Sequence, residues 1–321
     1  MPGWHRGMSR RANRSKHHRK VGYTGSQMQP IAIVSKPQKE ELRTLIPELA
    51  AWLRGRSFEP VLDTESASYL PPADAATFRV LDREELPKCD PVLVIVLGGD
   101  GTLLSVGRIF AQYATPILSV NLGSLGFLTE VRLADLYQTL EGWCQDCCFI
   151  DARTMLHGEV WRADQCVQTF EAVNDMVLSK AAIARMGEFS IELDGKLAAN
   201  FRADGVIVST PTGSTAYTLA ANGPILVPGV DALVITPICP HLLTLRPMVI
   251  PGDSSLILRI GGSRTSTSGQ ILLTVDGQQA IDLETADELR CRRSEYTIRL
   301  IRLGENGFFD ALRSKLKWGE R

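Results

Sequence analysis

The segment Gly-Gly-Asp-Gly-Thr at residues 98–102 directly follows the apolar run Val92–Leu97 and combines glycines, a carboxylate and a hydroxyl. Glycines at the end of a buried strand let the backbone approach a ligand closely. Amides at the start of the following helix attract anions, so phosphate oxygens fit beside Gly99 and Gly101. A carboxylate such as Asp100 is unfavourable among anion-binding amides unless it contacts a metal ion or a substrate hydroxyl. Either contact would suit phosphoryl transfer. The structural alternative is a tight turn in which the acid and the threonine cap the helix.

The segments around this turn alternate between strands and helices. This pattern predicts a parallel, Rossmann-like sheet covered by helices, with ligands at the carboxyl ends of its strands. The sequence has neither a Walker P-loop nor a G-x-G-x-x-G fingerprint, which weakens the usual nucleotide-binding interpretations. Apolar spacing predicts strands at Ile31–Ser35, Phe58–Leu62, Val92–Leu97 and Ile117–Val120, and helices at Lys39–Leu53 and Leu103–Gln112.

The pattern changes after residue 150, where short apolar runs are separated by turn residues and predict a β-rich, sandwich-like domain. Asp194-Gly195 and Asp276-Gly277 are typical of hairpin turns. One helix is expected from about Thr212 to Ala221, where Asn-Gly-Pro stops it. The predicted strands include Leu156–Trp161, Val167–Val173, Met176–Leu178, Ser190–Leu193 and Val206–Ser209, and a final amphipathic helix carries Phe308, Phe309, Leu312 and Leu316.

We therefore divide the chain into a basic tail (1–28), an α/β domain (29–130) and a β-rich nucleotide-binding and oligomerisation domain (150–303). The final helix, at about 306–317, is expected to pack back on the α/β domain. The tail has seven Lys and Arg residues between Arg6 and Lys20 without an acidic residue, and it lacks the apolar segment of a signal peptide. It is predicted to be disordered. A solvated tail, a natural start at Met28 and a tether to lipid headgroups or nucleic acid stay open.

Composition is that of an ordinary soluble protein of 321 residues, with 44% hydrophobic residues and a net charge of −1. This balance argues against a surface that is basic overall and binds nucleic acid. No apolar run is long enough to span a bilayer. Seven scattered cysteines predict reduced thiols in the cytoplasm, and Cys144-x-x-Cys147, in an apparent helix, lacks further ligands for a metal site.

Several blocks, in order along the chain, resemble NAD kinase of the bacterial type, and the resemblance covers about residues 29–319. It implies an α/β domain, a β-rich domain and an active site between them. It also implies transfer of the γ-phosphoryl group of ATP, with a divalent cation such as Mg²⁺, to the 2′-hydroxyl of the adenosine ribose of NAD. The blocks are Gly98–Thr102, Asn121–Leu128, Asn174-Asp175, Arg202–Gly205, Ser209–Tyr217, Thr236–His241, Asp276–Gln278, Phe308–Asp310 and Leu316–Gly319.

The resemblance gives Asp100 the role of proton acceptor or orienter for the ribose hydroxyl. Asn174 and Asp175 resemble an Asn-Glu pair that contacts the dinucleotide, although Asp175 is one methylene shorter; an Asx turn is the alternative. No residue is assigned to bind a metal. The nucleotide-binding residues expected from the motifs and the resemblance are Gly99, Gly101, Thr102, Asn174, Asp175, Arg185, Arg202, Asp204, Thr212, Thr215, Ala216, Tyr217, Thr218, Leu219, Ala220, Cys239 and Gln278.

Some of these assignments have structural alternatives. The hydroxyls at 212–215 can cap backbone amides, Arg185 and Arg202 can form surface ion pairs, and Cys239 can be a small core residue. Because part of the site in the family comes from a neighbouring subunit, the resemblance also implies a homo-oligomer, a dimer or a tetramer. Two other classes share features: lipid kinases with a similar glycine turn, and a non-catalytic NAD sensor, which would lack the acid at position 100.

Overall fold

The computed structural model describes residues 28–123, 126–180, 186–261, 271–302, 304 and 307–319. Its strands are β1 Gln29–Ser35, β2 Phe58–Asp63, β3 Arg79–Leu81, β4 Leu93–Leu97, β5 Pro116–Asn121, β6 Val131–Arg132, β7 Phe149–Arg162, β8 Gln165–Ala172, β9 Asp175–Lys180, β10 Gly187–Leu193, β11 Lys196–Ala203, β12 Gly205–Ser209, β13 Ala232–Ile238, β14 Met248–Pro251, β15 Leu256–Gly261, β16 Ile271–Val275, β17 Gln279–Leu283 and β18 Glu288–Arg302. Its helices are α1 Leu42–Arg54, α2 Thr64–Ala67, α3 Pro72–Ala75, α4 Asp100–Phe110, α5 Leu136–Cys144, α6 Tyr217–Ala220 and α7 Gly307–Leu316.

The N-terminal strands form the parallel sheet that the sequence predicts, in the order β3-β2-β1-β4-β5. All five residues of β4 are buried, because both faces of a parallel sheet are covered. Helix α1 contributes Leu42, Ile46 and Leu49 to the core on one face. The carboxyl ends of β1 and β4 lie side by side, since Ser35 pairs with Leu97. The glycine turn therefore leaves the sheet next to the end of β1.

The β-rich half is a sandwich, as expected. One face is the antiparallel sheet β14-β13-β12-β9-β16-β17, and the other contains β11, β10, β15, β18, β7 and β8. Their inner faces share one hydrophobic core that includes Met176, Val208, Leu258, Leu273 and Leu289. The two halves are not separate sheets, because the end of β18 also pairs in parallel with β5. The last long strand thus fixes the sandwich rigidly to the parallel sheet.

Three local predictions are wrong in detail. Helix α4 begins at Asp100 rather than at Leu103, because residues 127–129 of a loop distant in sequence donate hydrogen bonds to the Asp100 carboxylate in the first turn. The single helix expected at 212–221 is a 3₁₀ turn, Thr212–Thr215, followed by the four-residue α6, with Ala216 between them in a non-helical conformation. Local hydroxyl bonds to the backbone compete with the helix there. Helix α5 ends at Cys144, so Cys147 lies outside it.

Hairpin turns appear where the sequence predicts them. Asp194-Gly195 joins β10 to β11, and Asp276-Gly277 joins β16 to β17, all four residues having positive φ. The final helix α7 lies against the segment that follows β5: the Lys315 ammonium is 5.2 Å from the ring centroid of Phe127. The basic residues 1–27 lie outside the described residues.

Candidate active site

A cavity of about 410 Å³ opens at the start of α4, beside the ends of β1 and β4. Two cations line it. The guanidinium of Arg83 is held in place by Asp63 at 2.7 Å, whereas Lys36 has no ion pair among the residues that the structure describes. A helix N-terminus with two nearby cations suits a polyanionic ligand. The full lining is Lys36, Pro37, Arg83, Gly99, Gly101, Thr102, Ser105 and Gln278.

The glycines of the turn serve a purpose other than an unusual backbone conformation. The three have no positive φ, so the conformational freedom of glycine is not what the turn uses. A Cβ at Gly98 would lie 2.7 Å from the Thr102 hydroxyl, whereas one at Gly99 would meet nothing within 4 Å. At Gly101 the nearest atom would be Gln278 Nε2, at 3.6 Å. The missing side chains at Gly99 and Gly101 therefore leave space for a ligand.

The Asp100 carboxylate accepts four hydrogen bonds from the loop that follows β5. Its Oδ1 accepts from the amides of Leu128 and Thr129, at 3.2 and 3.0 Å, and from the Thr129 hydroxyl at 2.9 Å. Its Oδ2 accepts from the Phe127 amide at 2.9 Å. A Cβ at Gly126 would lie 2.0 Å from Oδ1, so only glycine permits this approach. Asp100 thus orders the 126–129 loop, and Oδ2 retains acceptor capacity because a carboxylate oxygen has two lone pairs.

A second carboxylate, Asp276, holds the corner between β8 and β9. Its side chain is fully buried, and it accepts hydrogen bonds from the amides of Val173, Asn174 and Asp175, at 3.0, 2.7 and 3.2 Å. Arg108 of α4 balances its charge, with Nη1 at 2.6 Å from Asp276 Oδ2. The Asn174-Asp175 corner is therefore fixed by its backbone, which leaves the two side chains for other contacts.

Arg108 and Gln278 extend this contact back to the glycine turn. Arg108 Nη2 donates to Gln278 Oε1 at 2.5 Å, and Gln278 Nε2 donates to the Gly101 carbonyl at 2.7 Å. We call this chain of contacts, Gly101–Gln278–Arg108–Asp276–Asn174/Asp175, the polar bridge. It connects the first turn of α4 with the first residue of β9.

Asp175 is 5% exposed, and burial raises the pKa of its carboxyl group to about 7. The negative charge of Asp276 raises this pKa further, while a hydrogen bond from the Tyr217 amide opposes both. The group consequently changes charge near neutral pH. Its link to Tyr217 places the start of α6 beside Asp175.

In the segment 210–220 some side chains form hydrogen bonds within the protein and others are exposed. The hydroxyls of Thr210, Ser214 and Thr215 donate to nearby backbone carbonyls, and the Ser214 hydroxyl also accepts from the Leu226 amide at 2.9 Å. Thr212 and Thr218 are buried, whereas the Tyr217 side chain is 46% exposed. Among these predicted residues, Tyr217 therefore presents a free aromatic surface.

Three other predicted residues lie away from this cavity. Arg202 forms an exposed ion pair with Glu188, and Asp204 pairs with Lys180. Cys239 is exposed in a left-handed conformation, which makes the core interpretation wrong. Arg202 lies near the end of β11, Asp204 lies between β11 and β12, and Cys239 follows β13. Asp204 thus precedes the end of β12 that is opposite the Asp175 end. Strand rise separates Asp204 from Ser209, the neighbour of Asp175, by about 17 Å. Arg185 lies outside the described residues.

Sequence reasoning missed Lys36, Arg83, Arg108, Thr129 and Asp276 as members or supports of the site. Arg108 had a usable signal, because it lies eight residues after Asp100, on the same side of an amphipathic helix. Asp276 was visible as a hairpin residue and as part of the resembling block Asp276–Gln278, but neither gave it a role in the site. Lys36 and Arg83 are far apart in sequence from the turn, so their placement depends on the sheet order.

The described residues contain no group of three or more His, Cys, Asp or Glu side chains that could hold a metal ion. Magnesium seldom needs such a group, because it binds through one or two carboxylates together with substrate phosphates. Asp100 stands between Gly99 and Gly101, which line the cavity, so one carboxylate is close to the space where substrate phosphates would bind.

A parallel sheet that ends in an anion-binding glycine turn, bridged to a β sandwich with a buried acid pair, defines a two-domain phosphotransferase. Residues 31–147 match the family model of the ATP-NAD kinase N-terminal domain, and residues 173–303 match that of the ATP-NAD kinase C-terminal domain. The NAD kinase of Acidobacterium capsulatum is 60% identical over 294 residues, which cover 92% of this chain and 100% of that protein. The chain belongs to the ATP-NAD kinase family.

Solved structures agree with the fold. The yeast NADH kinase complexed with NADH has a TM-score of 0.80 at 24% identity, over 92% of this chain and 89% of that one. An NAD kinase from Archaeoglobus fulgidus in complex with ATP has a TM-score of 0.69 at 20% identity, over 89% of this chain and 99% of that one. The predicted fold class is confirmed, as is the enzyme class: an NAD kinase that uses ATP to convert NAD into NADP. Within the described part of the chain, no helix is long and apolar enough to cross a membrane.

Proposed function

We propose that NAD is phosphorylated at the junction between the cavity at α4 and the Asn174-Asp175 corner, with Asp100 directed at the adenosine 2′-hydroxyl. The observation that carries this assignment is the polar bridge. It joins an anion-binding turn to a corner that carries amide and carboxylate side chains, so a phosphate donor and a ribose acceptor can bind on adjacent elements. Proximity of this kind supplies a large part of the rate enhancement in phosphoryl transfer.

In the proposed donor site the triphosphate of ATP lies over Gly99 and Gly101. Lys36 and Arg83 neutralise its charge, and the amides at the start of α4 bind its oxygens. A divalent cation such as Mg²⁺ would reach the site on the triphosphate and neutralise charge on the transferred group. The related archaeal NAD kinase solved in complex with ATP supports the choice of donor.

In the proposed acceptor site Asp100 Oδ2 accepts a hydrogen bond from the 2′-hydroxyl. The hydroxyl oxygen then forms the new bond to the γ-phosphorus, the bond from that phosphorus to the bridging β-γ oxygen breaks, and ADP leaves. The hydroxyl proton passes to Asp100 or to the transferred group. Because the transition state is loose, orienting the hydroxyl matters more than removing its proton early.

Asn174, Asp175 and Tyr217 are proposed to bind the dinucleotide. The amide of Asn174 can donate and accept hydrogen bonds, and an ionised Asp175 accepts from ribose hydroxyls. The exposed ring of Tyr217 offers a flat surface to a base. The remaining predicted contacts, Gly99, Gly101, Thr102, Thr212, Thr215, Ala216, Thr218, Leu219, Ala220 and Gln278, belong to the turn, the 212–220 segment and the polar bridge.

A homo-oligomer is part of the proposal. Arg202, Asp204 and Cys239 lie too far from Asp175 to reach the same ligand atoms within one subunit, so they would serve the site of a neighbouring copy. A reducing, cytoplasmic location is also proposed, supported by seven free cysteines.

Purified protein incubated with ATP, Mg²⁺ and NAD should form NADP, measured with an NADP-specific dehydrogenase. Asp100→Asn should reduce this activity strongly, and Arg132→Met, which removes an exposed ion pair with Asp135, should leave it unchanged. Binding of NAD without product would instead support a sensor. Phosphorylation of a diacylglycerol or sphingosine control alone would support a lipid kinase.

A further inference from the structure

The polar bridge depends on the guanidinium of Arg108, whose two terminal nitrogens contact different residues. Nη1 of Arg108 contacts Asp276, which fixes the backbone of the acceptor corner, and Nη2 contacts Gln278, which fixes the Gly101 carbonyl. The side chain is 11% exposed, and its partner Asp276 is fully buried. A planar guanidinium can hold two acceptors at a set angle, which the ammonium of lysine cannot do.

The packing of α4 does not require these contacts of Arg108. Helix α4 is already anchored by apolar residues, since Leu103, Val106 and Phe110 are buried in the core of the parallel sheet. The backbone at Gly107 also packs closely on Val173 and Ile298, which would lie 3.3 and 3.1 Å from an added Cβ. A buried ion pair contributes little net stability compared with apolar residues of similar volume, because both charges lose water.

We propose that Arg108 is a positioning residue for phosphoryl transfer: it fixes the distance between the glycine turn, where the donor binds, and the Asn174-Asp175 corner, where the acceptor binds. This inference rests on the proposed assignment of the two subsites. Arg108 does not line the cavity at α4, so it acts through Gln278 and Asp276. Its loss should impair the step that needs both substrates more than the binding of either one.

Arg108 also sets the charge around Asp175. The charged group that faces this carboxyl is Asp276, from the β16–β17 turn, and the Tyr217 amide approaches it from α6. Arg108 is the cation paired with Asp276. Without Arg108 the carboxylate of Asp276 keeps its three amide donors but loses its paired cation, so ionisation of Asp175 should require a higher pH.

The test compares wild type, Arg108→Met, Arg108→Lys, Gln278→Leu and the control Arg132→Met. For each we would measure melting temperature, kcat, KM, the Kd of NAD alone and the Kd of a non-hydrolysable ATP analogue alone. The expected result for Arg108→Met is a fall in kcat of about 100-fold with each Kd changed less than about threefold. The acidic limb of its pH–rate profile should move to higher pH.

The other variants separate the two ends of the bridge. Arg108→Lys keeps a positive charge at Asp276, so the acidic limb should return towards wild type while kcat recovers only in part. Gln278→Leu removes the contacts of residue 278 with Arg108 and with the Gly101 carbonyl but keeps the ion pair between Arg108 and Asp276, so it should lower kcat without moving that limb. These two variants also keep the test decisive if Arg108→Met fails to fold.

Two results would overturn the positioning role: a wild-type kcat in Arg108→Lys and Gln278→Leu, or a loss in kcat that merely follows the loss in melting temperature. Failure of the proposed function looks different, since wild type itself would then form no NADP. In that case hydrogen exchange of the amides at 173–175 and at the start of α4 still tests the bridge. Exchange unchanged in Arg108→Lys and Gln278→Leu would refute it.

Discussion

Replacing Gly101 with alanine separates folding from ligand binding at the glycine turn. The added Cβ has one neighbour within 4 Å, Gln278 Nε2 at 3.6 Å, which is an ordinary van der Waals distance. Residue 101 is the second residue of α4, and alanine is favoured over glycine in helices by up to about 1 kcal/mol. We therefore expect a melting temperature equal to or above that of wild type.

Catalysis should respond in the opposite direction, because the new methyl group lies where phosphate oxygens approach the backbone amides. Displacement of the donor by this methyl should lower kcat/KM for ATP by at least about 100-fold, or about 2.7 kcal/mol of transition-state stabilisation. The assay is NADP formation at varied ATP and saturating NAD, with thermal unfolding in parallel. Gly229→Ala is the control outside the site, since a Cβ there meets nothing within 4 Å.

A Gly101→Ala enzyme with a wild-type KM for ATP and unchanged kcat would refute the placement of the donor over this turn. A fall in melting temperature of several degrees would refute the packing argument, because it would mean that the methyl group collides with protein rather than with ligand.

Three further predictions concern the acids and the cation of the site. Asp100→Asn should lower activity at least about 100-fold and lower the free energy of unfolding in urea by about 2 kcal/mol, because an amide nitrogen cannot accept from the loop amides. Thr129→Val removes one of these hydrogen bonds, so it should cost about 1 kcal/mol of stability and keep most of the activity. Equal losses of activity in the two variants would argue for a purely structural Asp100. The raised pKa of Asp175 means that its carboxyl is largely neutral below about pH 7, so KM for NAD should fall as pH rises from 6 to 8. The folded state holds this proton more tightly than the unfolded chain and should therefore lose stability as pH rises from about 4 to about 7. Asp175→Asn should abolish both pH dependences, and their persistence would assign them to another group. Lys36→Met should raise KM for ATP about tenfold with little change in KM for NAD, and the reverse pattern would place the donor elsewhere.

Much of the fold could be predicted from the sequence, because its cause is local. The apolar run that became β4 and the spacing of Leu42, Ile46 and Leu49 fixed a strand and a helix without reference to the rest of the chain. The two Asp-Gly hairpins were equally visible, since aspartate and glycine tolerate the positive φ that both turns use at these positions. The glycine turn was found for the same reason, although its glycines make space rather than adopt an unusual conformation.

The start of α4 and the 212–221 segment show where local rules fail. Asp100 entered the helix because the loop at 126–129 supplied four partners for its carboxylate, and that loop is 26 residues or more away. The predicted helix broke at Ala216 because neighbouring hydroxyls bonded to the backbone instead. Neither outcome follows from helix propensity or apolar periodicity.

The sequence by itself determined the order of strands and helices, the glycine turn and the resemblance that identified the family, because each depends on residues close together in the chain. Tertiary structure alone decided which charges meet. Arg108 reaches an aspartate 168 residues later because α4 packs against the corner that leads into β9, and Asp276 lies beside Asp175 because β16 pairs with β9. Electrostatic interactions depend on distance in space and on burial, and neither quantity is encoded in local sequence spacing.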